Sequence, residues 1–299
     1  MLTPFGVTLR KLRLDKGMRL MDLAGRLGIS SAQASAVEIG TRTIQPGYVE
    51  QVVAAMGLSA EQAEELHRAA DRTRAEVRVD HLPMNQRELV AAFARKVDEL
   101  PPDFMEQLRK KVLKSVGDDQ PFRRKRRGAL VAPHSTATLR ALAEQVRGAF
   151  VPPDCVEFPI MDVLEFRLGT LLPGFALVPL SRQEMDGDEG RVVPGRDAIF
   201  LREDVYEGAW RGDGRDRFTA CHELLHFLAH RNAGFARTRE ESEPMYRDAE
   251  WQADTFAGAL LMSARHAPTF AGVGDAAAKC GMTPHAARVM LEKYGVREM

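Results

Sequence analysis

Phe218-Thr-Ala-Cys-His-Glu-Leu-Leu-His226, taken with Glu250-Trp-Gln-Ala-Asp254 downstream, decides how the chain is read. If residues 217–230 form one helix, His222 and His226 stand one turn apart on one face with Glu223 beside them. That places them near enough to share a metal ion. Zn²⁺ held by neutral imidazoles is tetrahedral, and so asks for a third protein ligand and one open position for water. Glu250 is the expected third ligand and Glu223 the expected base, in a zinc hydrolase centre.

The surroundings agree with that expectation. The HExxH pattern lies among Phe218, Ala220, Leu224, Leu225, Phe227 and Leu228, as in a helix buried at a pocket floor. Downstream, Glu250, Asp254, Ala257 and Leu261 share a helical face that Phe256 and Leu260 widen into a core stripe. Carboxylates on such a stripe are costly unless paired or bound to metal. A ligand at Glu250 and a residue at Asp254 that orients a histidine would offset the cost. His230 also lies one turn from His226, but about 12 Å along the helix from His222, so those two cannot ligate one ion. It is expected at the helix end or pocket rim.

The 299 residues suggest two domains or slightly more. With 44% hydrophobic and 28% charged residues the composition is that of an ordinary soluble globular protein. A formal net charge of zero leaves no global field to draw the chain to nucleic acid or membrane, so any such binding must be local. Cys155, Cys221 and Cys280 are far apart without CxxC spacing, which argues against a disulfide framework or zinc ribbon. The first residues lack the apolar core of a signal peptide. The stretch 170–180 is short and broken by Pro173 and Gly174, so no membrane span is expected and the cytoplasm is the expected compartment.

Residues 4–75 read as five short helices separated by Gly17, Gly28, Gly40 and Pro46. Two of them meet at Gly28-Ile29-Ser30 in the layout of a helix-turn-helix, whose second helix enters the major groove. The run Asp22-Leu23-Ala24, Gly28-Ile29-Ser30, Ser35, Glu38-Ile39-Gly40 and Arg42 resembles the phage-repressor (Xre) class. The resemblance implies base contacts from Ser31, Gln33 and Ser35 and phosphate contacts from Arg19 and Arg42. Gln33 suits bidentate pairing with adenine. It further implies binding as a homodimer on a palindromic operator.

A helical connector is expected over 76–135. It holds helices after Pro83 and around 104–116, then a polar run with five successive basic residues, Arg123 to Arg127, that reads as a linker. In residues 136–299 helices are expected over 136–150, 160–171 and 275–294, strands over 176–180 and 198–201, and loops over 183–195 and 205–216. Asp216 is the expected N-cap of the metal helix. The predicted fold is thus mainly α: a five-helix domain (1–75), connector helices, and an α+β domain (136–299) with a small sheet.

Residues 136–295 resemble the ImmA/IrrE family of metallopeptidases. The likeness is carried by LRALAEQVR (139–147), GRVVPGRDAIFL (190–201), RFTACHELLH (217–226) and EWQADTFA (250–257) followed by Leu260-Leu-Met262. Ser263 departs from the proline expected there. The resemblance implies a gluzincin-like domain with zinc on His222, His226 and Glu250, Mn²⁺ being compatible with the same donors. Glu223 would serve as base, and Tyr246, Tyr206, His230 and His266 are the candidates for a further oxyanion or proton donor. It also implies cleavage of an Xre-type repressor, or of the chain's own connector, to derepress stress, mobile-element or phage genes. The alternative is a helix-turn-helix regulator whose zinc domain is a non-catalytic sensor or structural module.

Overall fold

The structure, a computed structural model, describes residues 2–73, 131–230 and 245–296. The helices expected over 76–116 and the basic run lie outside the described residues. The N-terminal helices are α1 (Pro4–Asp15), α2 (Leu20–Leu27), α3 (Ser31–Glu38), α4 (Tyr48–Met56) and α5 (Ala60–Thr73). Local chemistry sets their ends. The Thr3 hydroxyl accepts from Gly6 N–H at the start of α1, and Ser30 and Gln33 form a reciprocal capping box at the start of α3. Gly28, with φ 68°, makes the left-handed turn between α2 and α3 that a β-carbon would disfavour. Phe5, Leu9, Leu12, Leu23, Val37, Val49, Val52 and Leu66 fill the core among these helices.

The other described residues form α6 (Thr136–Phe150), a helical run α7 (160–171), β1 (Ala176–Leu180), α8 (Arg182–Met185), β2 (Gly190–Val192), β3 (Ala198–Arg202) and α9 (Glu203–Arg211). They continue with α10 (Gly214–Leu225), α11 (Ala249–Leu261), α12 (Val273–Cys280) and α13 (Pro284–Lys293). The protein is mainly α, and the described residues hold one three-stranded mixed sheet of order β1-β3-β2. β1 runs parallel to β3, pairing Ala176 with Ala198, and β2 runs antiparallel to it, pairing Gly190 with Leu201. All five β1 residues are buried, as suits a strand covered on both faces.

Helix α10 lies between α9 and α11, and α6 covers α11. Ala220, Cys221, Leu224 and Leu225 share one apolar core with Ala253, Phe256, Ala257 and Leu260. Arg147 of α6 ties this core to its surroundings. Its guanidinium donates to the Leu260 carbonyl at 2.7 Å and to the carbonyls of Cys155 and Val156. The N-terminal helices and the second part form one compact unit, and Leu20, Ala24 and Ala34 belong to the core of the second part.

A buried carboxylate lies at their junction. Residues 163–167 of α7 form a π-turn, and Glu165 within it is 3% exposed. It accepts from Arg13 at 2.7 Å, Leu20 N–H at 2.7 Å, the Tyr206 hydroxyl at 2.7 Å and the Trp210 indole at 3.0 Å. Four donors around one carboxylate offset much of the cost of removing it from water. Burial opposes the charge of Arg13, but Glu38 and Glu165 outweigh it and hold its pKa above the ordinary value.

Three local expectations are corrected. Where a loop is expected from 205 to 216, residues 203–211 form α9. Its Gly208 marks a close approach and not a break, because a β-carbon there would overlap the Asp216 carboxylate of α10. Strand β2 falls inside the expected loop 183–195, where three residues gain their strand geometry only from β3. The N-cap of α10 is Asp213, whose carboxylate accepts from Arg215 and Asp216 N–H.

Asp216 itself lies near Asp213, Asp204 and Glu189. Burial first, then these like charges, raise its pKa from an ordinary 3.8 to about 6. The folded state therefore holds this proton more tightly than the unfolded chain, and the group costs stability above pH 6 but not below 4. Because the side chain is largely solvated, the cost at neutral pH is about 1 kcal/mol, well under the unscreened conversion of the shift. Asp216→Asn is expected to raise the thermal midpoint at pH 8, with the gain fading as pH falls from 6 to 4. Melting curves across that range test this.

Candidate metal centre

The seam between α10 and α11 brings His222, His226 and Glu250 together. His222 Nε2 lies 2.9 Å from His226 Nε2 and 3.3 Å from one Glu250 oxygen, and His226 Nε2 lies 3.5 Å from the other. A tetrahedral ion with bonds near 2.0 Å separates its ligand atoms by ~3.3 Å. The three groups therefore fit a divalent ion in both donor chemistry and spacing. Asp248 caps α11 and accepts from Glu250 and Trp251 N–H, which sets the backbone under Glu250.

The second nitrogen of each imidazole is also held. His222 Nδ1 lies 2.9 Å from Asp254 Oδ1, so with Nδ1–H donating, its Nε2 lone pair faces the cluster. Burial disfavours the charged form of His222. Bonds to Asp254 and Glu250 and the charge of Glu223 outweigh burial and raise its pKa to about 10, so Nε2 presents its lone pair only when a binding cation displaces the proton it otherwise holds.

His226 is oriented by a longer relay. Gln252, fully buried, donates from Nε2 to the carbonyls of Ala132 and Tyr246 at 2.9 and 2.8 Å, which fixes its Oε1 towards His230. His230 Nε2–H donates to that oxygen at 2.9 Å, leaving Nδ1 as the acceptor. His226 Nδ1, 3.0 Å away, is then the donor, and its Nε2 lone pair faces the cluster. Burial holds the His230 pKa below its ordinary value, consistent with the neutral ring the relay needs.

This relay departs from the single α-helix expected over 217–230. Regular α geometry ends at Leu225, and His226–His230 form a π-turn. A π-turn carries one extra residue per turn and shifts the phase of the residues after it. His230 is thus buried beneath His226 instead of standing at a rim.

Glu223 is buried against the sheet edge. A β-carbon at Gly190 of β2 would lie 2.5 Å from Glu223 Cγ, so the bare glycine makes the space this side chain occupies. Neither Gly190 nor Gln252 was legible as a site residue. One lies 33 positions before Glu223, and the other reads as an ordinary polar residue between Glu250 and Asp254.

The four donor candidates are placed differently. The Tyr206 hydroxyl donates to Glu165, which removes it from consideration at the cluster, and His230 is engaged by the relay. His266 lies beyond the far end of α11, about 16 Å of helix past Glu250. Tyr246 is half-exposed in the turn just ahead of α11.

Of the residues expected to meet DNA, Gln33 and Arg42 are exposed. Ser31 and Ser35 are each 2% exposed. Arg19 pairs with Asp22 and lies over the Trp210 ring, 5.1 Å from its centroid.

Residues 4–66 match the family model described as a helix-turn-helix domain, and residues 177–271 match that of an IrrE N-terminal-like domain. No curated protein and no solved structure is significantly similar to the chain. Among the described residues no helix is long and apolar enough to cross a membrane.

The relay generates a test. Gln252→Leu removes the amide that sets the His230 tautomer and is expected to weaken Zn²⁺ affinity ~10- to 100-fold. Competition with a chromophoric chelator measures it, and circular dichroism of the apo protein checks that the fold is kept.

Proposed function

Because the chain joins a helix-turn-helix domain to an IrrE N-terminal-like domain, we propose that it is a metal-dependent endopeptidase coupled to a DNA-binding transcriptional regulator. Its substrate is an Xre-type repressor, either a separate protein or its own connector over 101–135. Cutting derepresses the genes that the repressor holds silent, in stress, mobile elements or phage. The regulator acts as a homodimer on a palindromic operator.

The observation that carries this reading is the convergence of His222, His226 and Glu250 beside the buried Glu223. In this proposal those three residues hold Zn²⁺, or Mn²⁺, which suits the same donors. When bound, the ion supplies Lewis acidity at neutral pH. Glu223 accepts the proton of the attacking water and delivers it to the leaving amine. Gly190 keeps that carboxylate in place, and Asp254 and the Gln252–His230 relay keep both imidazoles in the ligating tautomer. The half-buried strand β2 at the sheet edge offers main-chain groups to an extended peptide beside Glu223.

Intact-mass spectrometry of the protein incubated with Zn²⁺ or Mn²⁺ tests the reaction. Fragments are expected from the wild type and not from Glu223→Gln, with an internal target mapping to 101–135. If Glu223→Gln cuts as fast as wild type, the assignment of the base is wrong. Metal binding without cutting of the chain or of a supplied Xre-type repressor would instead fit a non-catalytic metal module.

Gly190→Ala separates positioning from binding. The added methyl displaces Glu223 while leaving the three ligands in place, so cutting should fall by at least ~10-fold, about 1.4 kcal/mol in the barrier. Zn²⁺ affinity should stay within ~2-fold. Equal loss of both would show that the cluster itself had shifted.

A further inference from the structure

The helix expected to read DNA is covered by the chain's own second part. Ala32 and Ala34 are 4% and 1% exposed, and Ser31 and Ser35 are buried as well. Ala34 lies in the core shared with α7 and α9, and α3 packs along β1.

The polar contacts at this face are with carboxylates. Glu203 at the start of α9 accepts from the backbone N–H of Ala32 at 2.9 Å, in the first turn of α3. Glu207, one turn later on α9, accepts from the Ser31 hydroxyl at 3.1 Å. Glu165 accepts from the backbone N–H of Leu20, the first residue of α2. The N-terminal N–H groups of helices attract anions, and in a helix-turn-helix complex phosphates approach these same ends. Arg19, expected to meet phosphate, pairs instead with Asp22 and stacks over Trp210 of α9.

We propose that the α3 reading face is an interaction surface with two mutually exclusive partners: DNA, and the face of the same chain built by α7, α9 and β1, on which Glu165 of α7 and Glu203 and Glu207 of α9 occupy the positions of phosphates. The docked form does not bind DNA, and undocking is required before α3 can enter a groove. This rests on the reading of α3 as the DNA-reading helix. It goes beyond that reading by naming what covers the helix and what must leave.

The carboxylates also account for the absence of basic residues from α3. A strongly cationic α3 would hold Glu203 and Glu207 too tightly to release. A reading helix without basic side chains keeps docking weak enough for a polyanion to compete.

Two measurements on the full-length protein test the proposal. The first uses Ser31→Cys in a Cys155→Ser background, where the remaining cysteines, Cys221 and Cys280, are buried. Maleimide labelling at position 31 is expected to be slow, and at least ten-fold faster when Glu203→Gln and Glu207→Gln are added. Fast labelling without those substitutions would overturn the docking.

The second is fluorescence anisotropy with a random-sequence 30-base-pair duplex at low salt. The Glu203→Gln/Glu207→Gln protein is expected to bind at least ten-fold more tightly than wild type, and adding Gln33→Ala/Arg42→Ala should reverse that gain. Equal binding by wild type and the double variant would overturn the competition. Labelling that accelerates with no duplex binding by any variant would also overturn it, and would place the fault in the reading of α3 as a DNA-binding helix. A duplex that binds wild type while labelling stays slow would show that DNA uses another surface.

Discussion

The seam between α10 and α11 is the constraint on which the site depends. Neither helix has a reason of its own to place an imidazole beside a carboxylate. Small and branched side chains, Ala220 and Leu224 against Ala253, Ala257 and Leu260, let the two helices approach closely in a shared core. At that spacing His222, His226 and Glu250 converge to within a metal ion's reach. The apolar packing provides the energy, and the polar residues at the rim of the seam are held where that packing puts them. Arg147 closes the same seam from α6 by satisfying carbonyls at the far end of α11 and in the turn after α6.

A second constraint is the buried carboxylate of Glu165. An isolated carboxylate at that depth would be prohibitively costly, and it persists because donors from α1, α2 and α9 converge on it. The same interactions that satisfy the charge join the N-terminal helices to the second part of the chain. Removing a single donor would leave the rest of the group buried and less well paired, so the junction depends on geometry more than on contact area.

Both π-turns among the described residues sit where these constraints act. One carries Glu165, and the other places His230 beneath His226. In a regular α-helix the side chain four positions on would stand above its predecessor on the same face. The wider turn rotates the residues beyond it and lets one element serve both the core and the polar network. The relay from His226 through His230 to Gln252 ends on the carbonyls of Ala132 and Tyr246, which lie on separate segments that meet only in the folded protein.

The mainly α class, the five N-terminal helices and the two longer strands were determined by the sequence itself, because apolar spacing and Gly, Pro and Ser caps are local signals. The grouping of His222, His226 and Glu250 was legible for a related reason: one helical turn fixes the two histidines, and a carboxylate on a core stripe demands a partner. Gly190, Gln252, Glu165, β2 and α9 were decided only by tertiary structure. A three-residue strand exists through its neighbour, the glycine at 208 is explained only by the close approach of Asp216, and a π-turn breaks the periodicity from which burial is read. The covering of α3 belongs with them, since the carboxylates that hold it lie 171 and 176 positions away, and only the packed chain brings such distant groups together.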